Sequence, residues 1–255
     1  MEALHQSSPT ELTAEGRASD PRRDVAARHF VVAATPRSGT TFTSVVLSNM
    51  GYRCGHEQVF SPRKPWGFHG WRGFQGDASC YSVPYLKELP RDTLLIHQVR
   101  DPLATIRSLA IWGLFMPFSV RRHVLIPMLR WSRARPPREL ALSFMKAHCR
   151  EAWRTERDGL ARAAKHWLVW NRAIESNSRE ARLDYVRYRV EDLAGGQLVD
   201  LARLIGGHDV NITVELPTGV NAGRNASLEV SPEHLPSGLR AEVGVLAQDY
   251  GYGWS

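Results

Sequence analysis

The stretch from Phe30 to Met50, FVVAATPRSGTTFTSVVLSNM, constrains this chain more than any other. Phe30 to Ala34 is a short, unbroken apolar run of the kind that is buried on both faces in a parallel sheet. A compact turn through Thr35, Pro36, Arg37, Ser38 and Gly39 follows. Phe42, Val45, Val46 and Met50 then recur at helical spacing, so Thr41 to Met50 reads as a helix. A strand that turns at once into a helix is the first half of a βαβ unit, and such units impose right-handed crossovers and a mainly parallel sheet.

The alternation continues. Tyr52 to Glu57 reads as a second strand ending in a loop, and Leu94 to Val99 as the next clear strand. Asp101 and Pro102 then supply an N-cap and a proline at the first helical position, so a helix runs to about Trp112. Residues 139–176 read as two helices broken near Asp158 and Gly159, and Leu183 to Val190 alternates like a strand. Gln197 to Ile205 and Leu239 to Tyr250 read as helices. Residues 58–80 form a long loop rich in glycine, proline and aromatic residues, a length at which loops in compact domains often serve as lids. Residues 113–138 mix apolar clusters with arginines and prolines, as a helical insertion or a subunit contact in a homodimer would. The expected organisation is a disordered polar arm over 1–28 and a single α/β domain over 29–255. That domain has three layers, a mainly parallel central sheet and a helical insertion near 113–160.

Composition narrows the setting. The chain has 255 residues, 43% of them hydrophobic, which suffices for a sizeable core. Its net charge of +7 suits an anionic ligand, and also nucleic acid or an acidic membrane surface. Cys54, Cys80 and Cys149 form no C-x-x-C pair and no disulfide framework, and no histidine pattern marks a metal site. The N-terminal segment lacks the apolar stretch of a signal peptide, and no apolar run is long enough to span a bilayer. A reduced, cytoplasmic setting is expected, in which the NIT and NAS triplets at Asn211 and Asn225 carry no glycan.

The turn at Thr35 to Thr41 has the chemistry of an oxyanion cradle. A helix start presents unpaired backbone N–H groups and the positive end of its dipole. Gly39 lets the backbone come close to a ligand, Ser38, Thr40 and Thr41 add hydroxyl donors, and Arg37 adds a forked cation. An ordinary capped turn would also satisfy the local pattern. The G-x-x-x-x-G-K-[ST] signature of nucleotide hydrolases is absent.

The segment TPRSGTT after a strand resembles the 5′-phosphosulfate loop of sulfotransferases that use 3′-phosphoadenosine 5′-phosphosulfate (PAPS), usually spelled P-[KR]-[SA]-G-T-[TS]. A second motif, VRDPLATIRSL, follows the strand Leu94 to Val99. In that family an arginine at this strand end and a serine farther along bind the 3′-phosphate, and Arg100 and Ser108 have the matching spacing. VRYRVEDL, HWLVWNRAIE and the segment from Val220 to Tyr252 are weaker echoes, with Asn221, Gly223 and Arg224 matching a loop that covers the 3′-phosphate. The resemblance spans residues 29–253. It implies a P-loop-like strand–loop–helix, PAPS as the donor, 3′-phosphoadenosine 5′-phosphate (PAP) as the product, and no metal.

The same resemblance assigns roles. Arg37 stands where the family places a lysine or arginine, and would balance charge on the leaving phosphate. The acceptor needs a base, which is a histidine or a glutamate in different members. Tyrosylprotein sulfotransferases read much like RCGEE here, and this chain reads RCGHE, so Glu57 is the expected base with His56 next. His69 is a more remote choice, and His97, on a strand, reads as core. Trp66, Phe68, Trp71 and Phe74 either line an acceptor pocket or pack as their own anchor. The expected acceptor is a small-molecule, glycosylated or lipid-like hydroxyl or amine, with no nucleic acid and no stable membrane insertion. The alternatives are a P-loop-type small-molecule kinase, and a non-enzymatic basic protein binding nucleic acid or other anions through Arg121 to Arg138.

Overall fold

The computed structural model describes residues 28–112, 115, 137–194, 197–206 and 228–254. Five strands, β1 (Phe30–Ala34), β2 (Cys54–His56), β3 (Gly76–Ala78), β4 (Leu94–Val99) and β5 (Asp184–Arg189), form one sheet in the order β2-β3-β1-β4-β5. Every neighbouring pair is parallel. The fold is therefore α/β, as the alternating pattern requires. The α-helices are α1 (Thr40–Asn49), α2 (Pro102–Trp112), α3 (Pro137–His148), α4 (Arg150–Thr155), α5 (Gly159–Ala181), α6 (Gln197–Gly206) and α7 (Ser237–Asp249).

Strand periodicity divides the interior into two layers. Phe30, Val32, Leu94 and Ile96 face one core with Val46 and Leu47 of α1 and Leu198, Leu201 and Ile205 of α6. Val31, Ala33, Leu95 and Val99 face the other, with Ile106 and Leu109 of α2, Trp167, Leu168 and Ile174 of α5, and Val243 of α7. β1 is buried over its whole length because helices cover it on both sides. Helix α5 starts cleanly because the Asp158 carboxylate accepts from the N–H groups of Leu160 at 2.7 Å and Ala161 at 2.9 Å.

Three features differ from the pattern reading. Residues 58–80 contain the interior strand β3, whose Gly-Asp-Ala sequence carries no strand propensity. Burial selects it: a β-carbon on Gly76 would lie 2.3 Å from the Phe30 ring, so only glycine fits beside β1. A 3-10 helix over Cys80–Glu88 follows where no element was expected. The region read as two helices holds three, with breaks at Cys149 and at 156–158. Phe144 and Met145 of α3 and Ala152 of α4 lie fully inside the main core, so this part of the expected insertion belongs to the domain. Arg28, assigned to the polar arm, is tied to the fold through the Asp92 carbonyl at 2.6 Å and an ion pair with Asp184. The rest of the arm, the arginine run of 121–138 up to residue 136, and Asn211 and Asn225 lie outside the described residues. Among the described residues no helix is long and apolar enough to cross a membrane.

Connectivity places a crevice. From β1 the chain passes through α1 toward β2, while α2, leaving β4, packs on the opposite face. The carboxyl ends of β1 and β4 are thus where the chain direction switches, the usual ligand position in open α/β sheets. The register sets Ala34 beside Gln98, so Arg37 and Arg100, just beyond, emerge at the same edge.

Candidate functional site

The turn after β1 is shaped by two left-handed residues. Arg37 has φ 73° and Gly39 φ 93°, with Ser38 between them and the Ser38 N–H donating to the Thr35 carbonyl at 3.2 Å. A non-glycine residue in that region is strained, and such strain concentrates at functional sites. A buried network braces the turn from behind. The Gln98 amide donates to the Ser38 carbonyl, and its oxygen accepts from the hydroxyls of Thr43 and Tyr188, both at 2.6 Å. Gln98 is fully buried within a strand that is apolar apart from it and His97, and that misplaced polarity was the available sequence signal for its role.

Pro36, Arg37, Gly39, Thr40 and Thr41 line a cavity of about 440 Å³, together with His56, Glu57, Pro62, Cys80, Tyr81, Arg100, Trp112 and Ala141. Helix α1 begins here with no acidic residue in its first turn and no side chain capping it, so its orphan N–H groups face this end. Arg100 donates to the Arg37 carbonyl at 3.0 Å, and the Arg37 Nε donates to the Ser108 hydroxyl at 3.0 Å. Arg37 and Ser108 are 71 positions apart, so the two motifs form one corner. Among the described residues neither Arg37 nor Arg100 has a carboxylate partner. Burial, and then the positive charge of Arg100, lower the pKa of Arg37. Two unneutralised guanidinium groups at a helix start make a strong anion-attracting corner.

The opposite wall is acidic. Glu57 follows β2 with φ 58°, another left-handed non-glycine residue. Burial, reinforced by the nearby Asp77, pushes its carboxyl up to about 7. Asp77 of β3, which pattern reading missed, holds this loop: its carboxylate accepts from the N–H groups of Gln58 at 3.0 Å and Phe60 at 3.1 Å. Burial also raises Asp77 to about 6, against the opposing pull of those donors. Gly55 is obligatory there, since a β-carbon would sit 2.7 Å from Asp77 Oδ1. His56 Nε2 lies 3.2 Å from the Thr40 hydroxyl, 3.1 Å from that of Thr41 and 3.8 Å from Glu57 Oε1. Burial lowers the pKa of His56, so the ring is neutral at neutral pH.

Most of the sequence-derived set therefore converges. Arg37, Gly39, Thr40, Thr41, His56, Glu57 and Arg100 share the cavity, and Ser108 joins through Arg37. Ser38 is buried behind the wall. Asn221, Gly223 and Arg224 lie outside the described residues. His97 is core, between the Tyr185 hydroxyl at 2.7 Å and Asn171 Oδ1 at 2.9 Å. His69 does not line the cavity. The aromatic residues of the 58–75 loop are anchors rather than pocket walls: Trp66, Phe68, Trp71 and Phe74 pack on the main core. Trp66 meets Phe144 edge-on, Phe68 lies on Phe60, and Trp71 stacks on His29. Comparison with family models, curated proteins and solved structures returns no match for this chain.

Proposed function

We propose that this protein is a PAPS-dependent sulfotransferase whose phosphosulfate loop is the P-loop-like turn at Thr35–Thr41. The observation that carries the proposal is the convergence of Arg37 and Arg100 from two strand ends onto one cavity, with Ser108 of α2 bonded to Arg37 and Glu57 lining the same cavity. The donor set fits a polyanionic nucleotide. Paired guanidinium groups with no carboxylate between them need an anion to balance them, and a cavity of about 440 Å³ is in the usual range for a small ligand.

When bound, PAPS supplies an activated sulfuryl group on a phosphate leaving group. Arg37, with the N–H groups that start α1, stabilises negative charge growing on that phosphate. Arginine does this electrostatically, since its proton is not readily given up. Arg100 and Ser108 hold the 3′-phosphate, the role the motif resemblance gives them. Glu57 takes the proton of the acceptor hydroxyl. With its pKa near working pH, it combines a useful ionised fraction with adequate basicity. Neutral His56, held by Thr40 and Thr41, fixes the turn against the Glu57 loop as a positioning residue.

A thermal-shift panel of PAP, ATP, ADP and NADPH tests the donor. PAP is expected to raise the melting temperature most, and the Arg37→Ala variant to lose that response. A chain stabilised by ATP and not by PAP would overturn the proposal in favour of a kinase.

A further inference from the structure

A second cavity adjoins the first. It has a volume of about 470 Å³ and shares His56, Glu57 and Pro62 with the donor cavity. Its other walls are Gln58, Val59, Ser61, Arg63, Lys64, Pro65, Arg72 and, from α3, Leu140. Three of these side chains are cationic, and Glu57 is the only acid among them. Arg63, Lys64 and Arg72 have no carboxylate partner among the described residues.

The loop that bears them is built to hold them outward. Its aromatic side chains turn inward: Phe60 is fully buried, and Trp66, Phe68 and Trp71 pack on the core. The Asp77 carboxylate pins the backbone of Gln58 and Phe60, and the Trp66 indole donates to the Pro62 carbonyl at 3.0 Å. Lys64 Nζ lies over the Trp66 ring, 4.6 Å from its centroid. Arg72 sits in the left-handed region with φ 51°, a conformation an arginine does not choose freely. A hydroxylated ligand in this cavity thus meets walls that carry both Glu57 and three cations.

We infer that this cavity binds the acceptor, and that the acceptor is a small hydroxylated molecule bearing an anionic group such as a carboxylate or sulfate. Arg63, Lys64 and Arg72 take the anionic group, and the hydroxyl lies toward Glu57. The inference deepens the proposed function and rests on it for the word acceptor, while the anion preference of the cavity stands on its own lining. It also replaces the aromatic acceptor lining with a polar one.

The test uses two probes that differ at one group, 4-nitrophenyl β-D-glucuronide and 4-nitrophenyl β-D-glucoside. Equilibrium binding of each is measured by calorimetry, with and without saturating PAP. Exposed charge pairs contribute little individually, so the glucuronide is expected to bind about fivefold more tightly, with the preference shrinking as salt rises. The triple variant Arg63→Gln, Lys64→Gln, Arg72→Asn should abolish the preference. These side chains are exposed, and asparagine tolerates the left-handed backbone at position 72, so folding is preserved. Arg37→Ala should retain the preference. Equal binding of the two probes, including no binding of either, would overturn the inference, as would a preference that survives in the triple variant. Failure of the donor reading gives a different result: no response to PAP, with the glucuronide preference intact.

Discussion

Replacing Glu57 by glutamine should make the fold more stable as pH rises while removing the base. The folded protein holds the Glu57 proton up to about pH 7, against an ordinary value of 4.5, because burial and then Asp77 disfavour the charged form. At this site the folded state therefore binds more protons than the unfolded state between those values, and the Glu57 contribution to wild-type stability declines as pH climbs through that interval. Glutamine has no proton to lose. The full shift corresponds to roughly 3 kcal/mol. The Glu57 side chain keeps 31% of its surface exposed, and solvent screening brings the expectation down to about 1–2 kcal/mol. Urea unfolding of both proteins at pH 5 and pH 8 measures it. The variant should gain on wild type by that amount between the two conditions, with little separation at pH 5. In a sulfuryl-transfer assay with the glucuronide probe, the wild-type rate should rise about tenfold from pH 6 to pH 8 as Glu57 ionises, and the variant should lose about 100-fold or more. A stability gap independent of pH would refute the placement of Glu57 in a burying environment. Full activity in the variant would refute its role as base and turn attention to His56.

Arg37→Ala should lower kcat by about 100- to 1000-fold, the usual effect of removing one stabilising donor at a developing oxyanion, and should weaken the PAP thermal shift. Gly76→Ala should cost about 1–3 kcal/mol, because its β-carbon would enter the fully buried Phe30 ring; the denaturant midpoint reads this directly. His97 and His166 are buried with pKa values depressed to about 4 and about 3. Their unfolded forms take up protons below about pH 6.5 while the folded forms do not, so the contribution of these two groups to stability shrinks as pH drops from 7 to 5, opposite in sign to that of Glu57. Among the described residues both His166 ring nitrogens lack a hydrogen-bond partner, and the melting temperature of His166→Phe should gain on that of wild type as pH drops from 7 to 5. Gln98→Leu should destabilise by about 1–3 kcal/mol, by leaving the Thr43 and Tyr188 hydroxyls and the Ser38 carbonyl without their shared amide.

The local sequence determined the strand–turn–helix corners. Apolar runs, an Asp-Pro helix start and a glycine at a left-handed position are short-range signals, and β1, β4, α1 and α2 lie within a residue or so of where those signals put them. The same logic marked Arg37, while Arg100, Glu57 and His56, also at the ends of legible strands, were marked by the motif resemblance. What lay beyond reach depends on neighbours distant in the chain. Nothing in Gly-Asp-Ala reads as a strand until the Phe30 ring excludes every side chain beside it. Asp77 reads as a loop acid until burial places it under the backbone of Gln58 and Phe60. The contact of Arg37 with Ser108, and the division of the 58–75 loop into buried aromatics and outward cations, follow from the parallel register and the position of α3. Those are outcomes of long-range packing, which fixes direction and burial for residues whose local sequence permits several conformations.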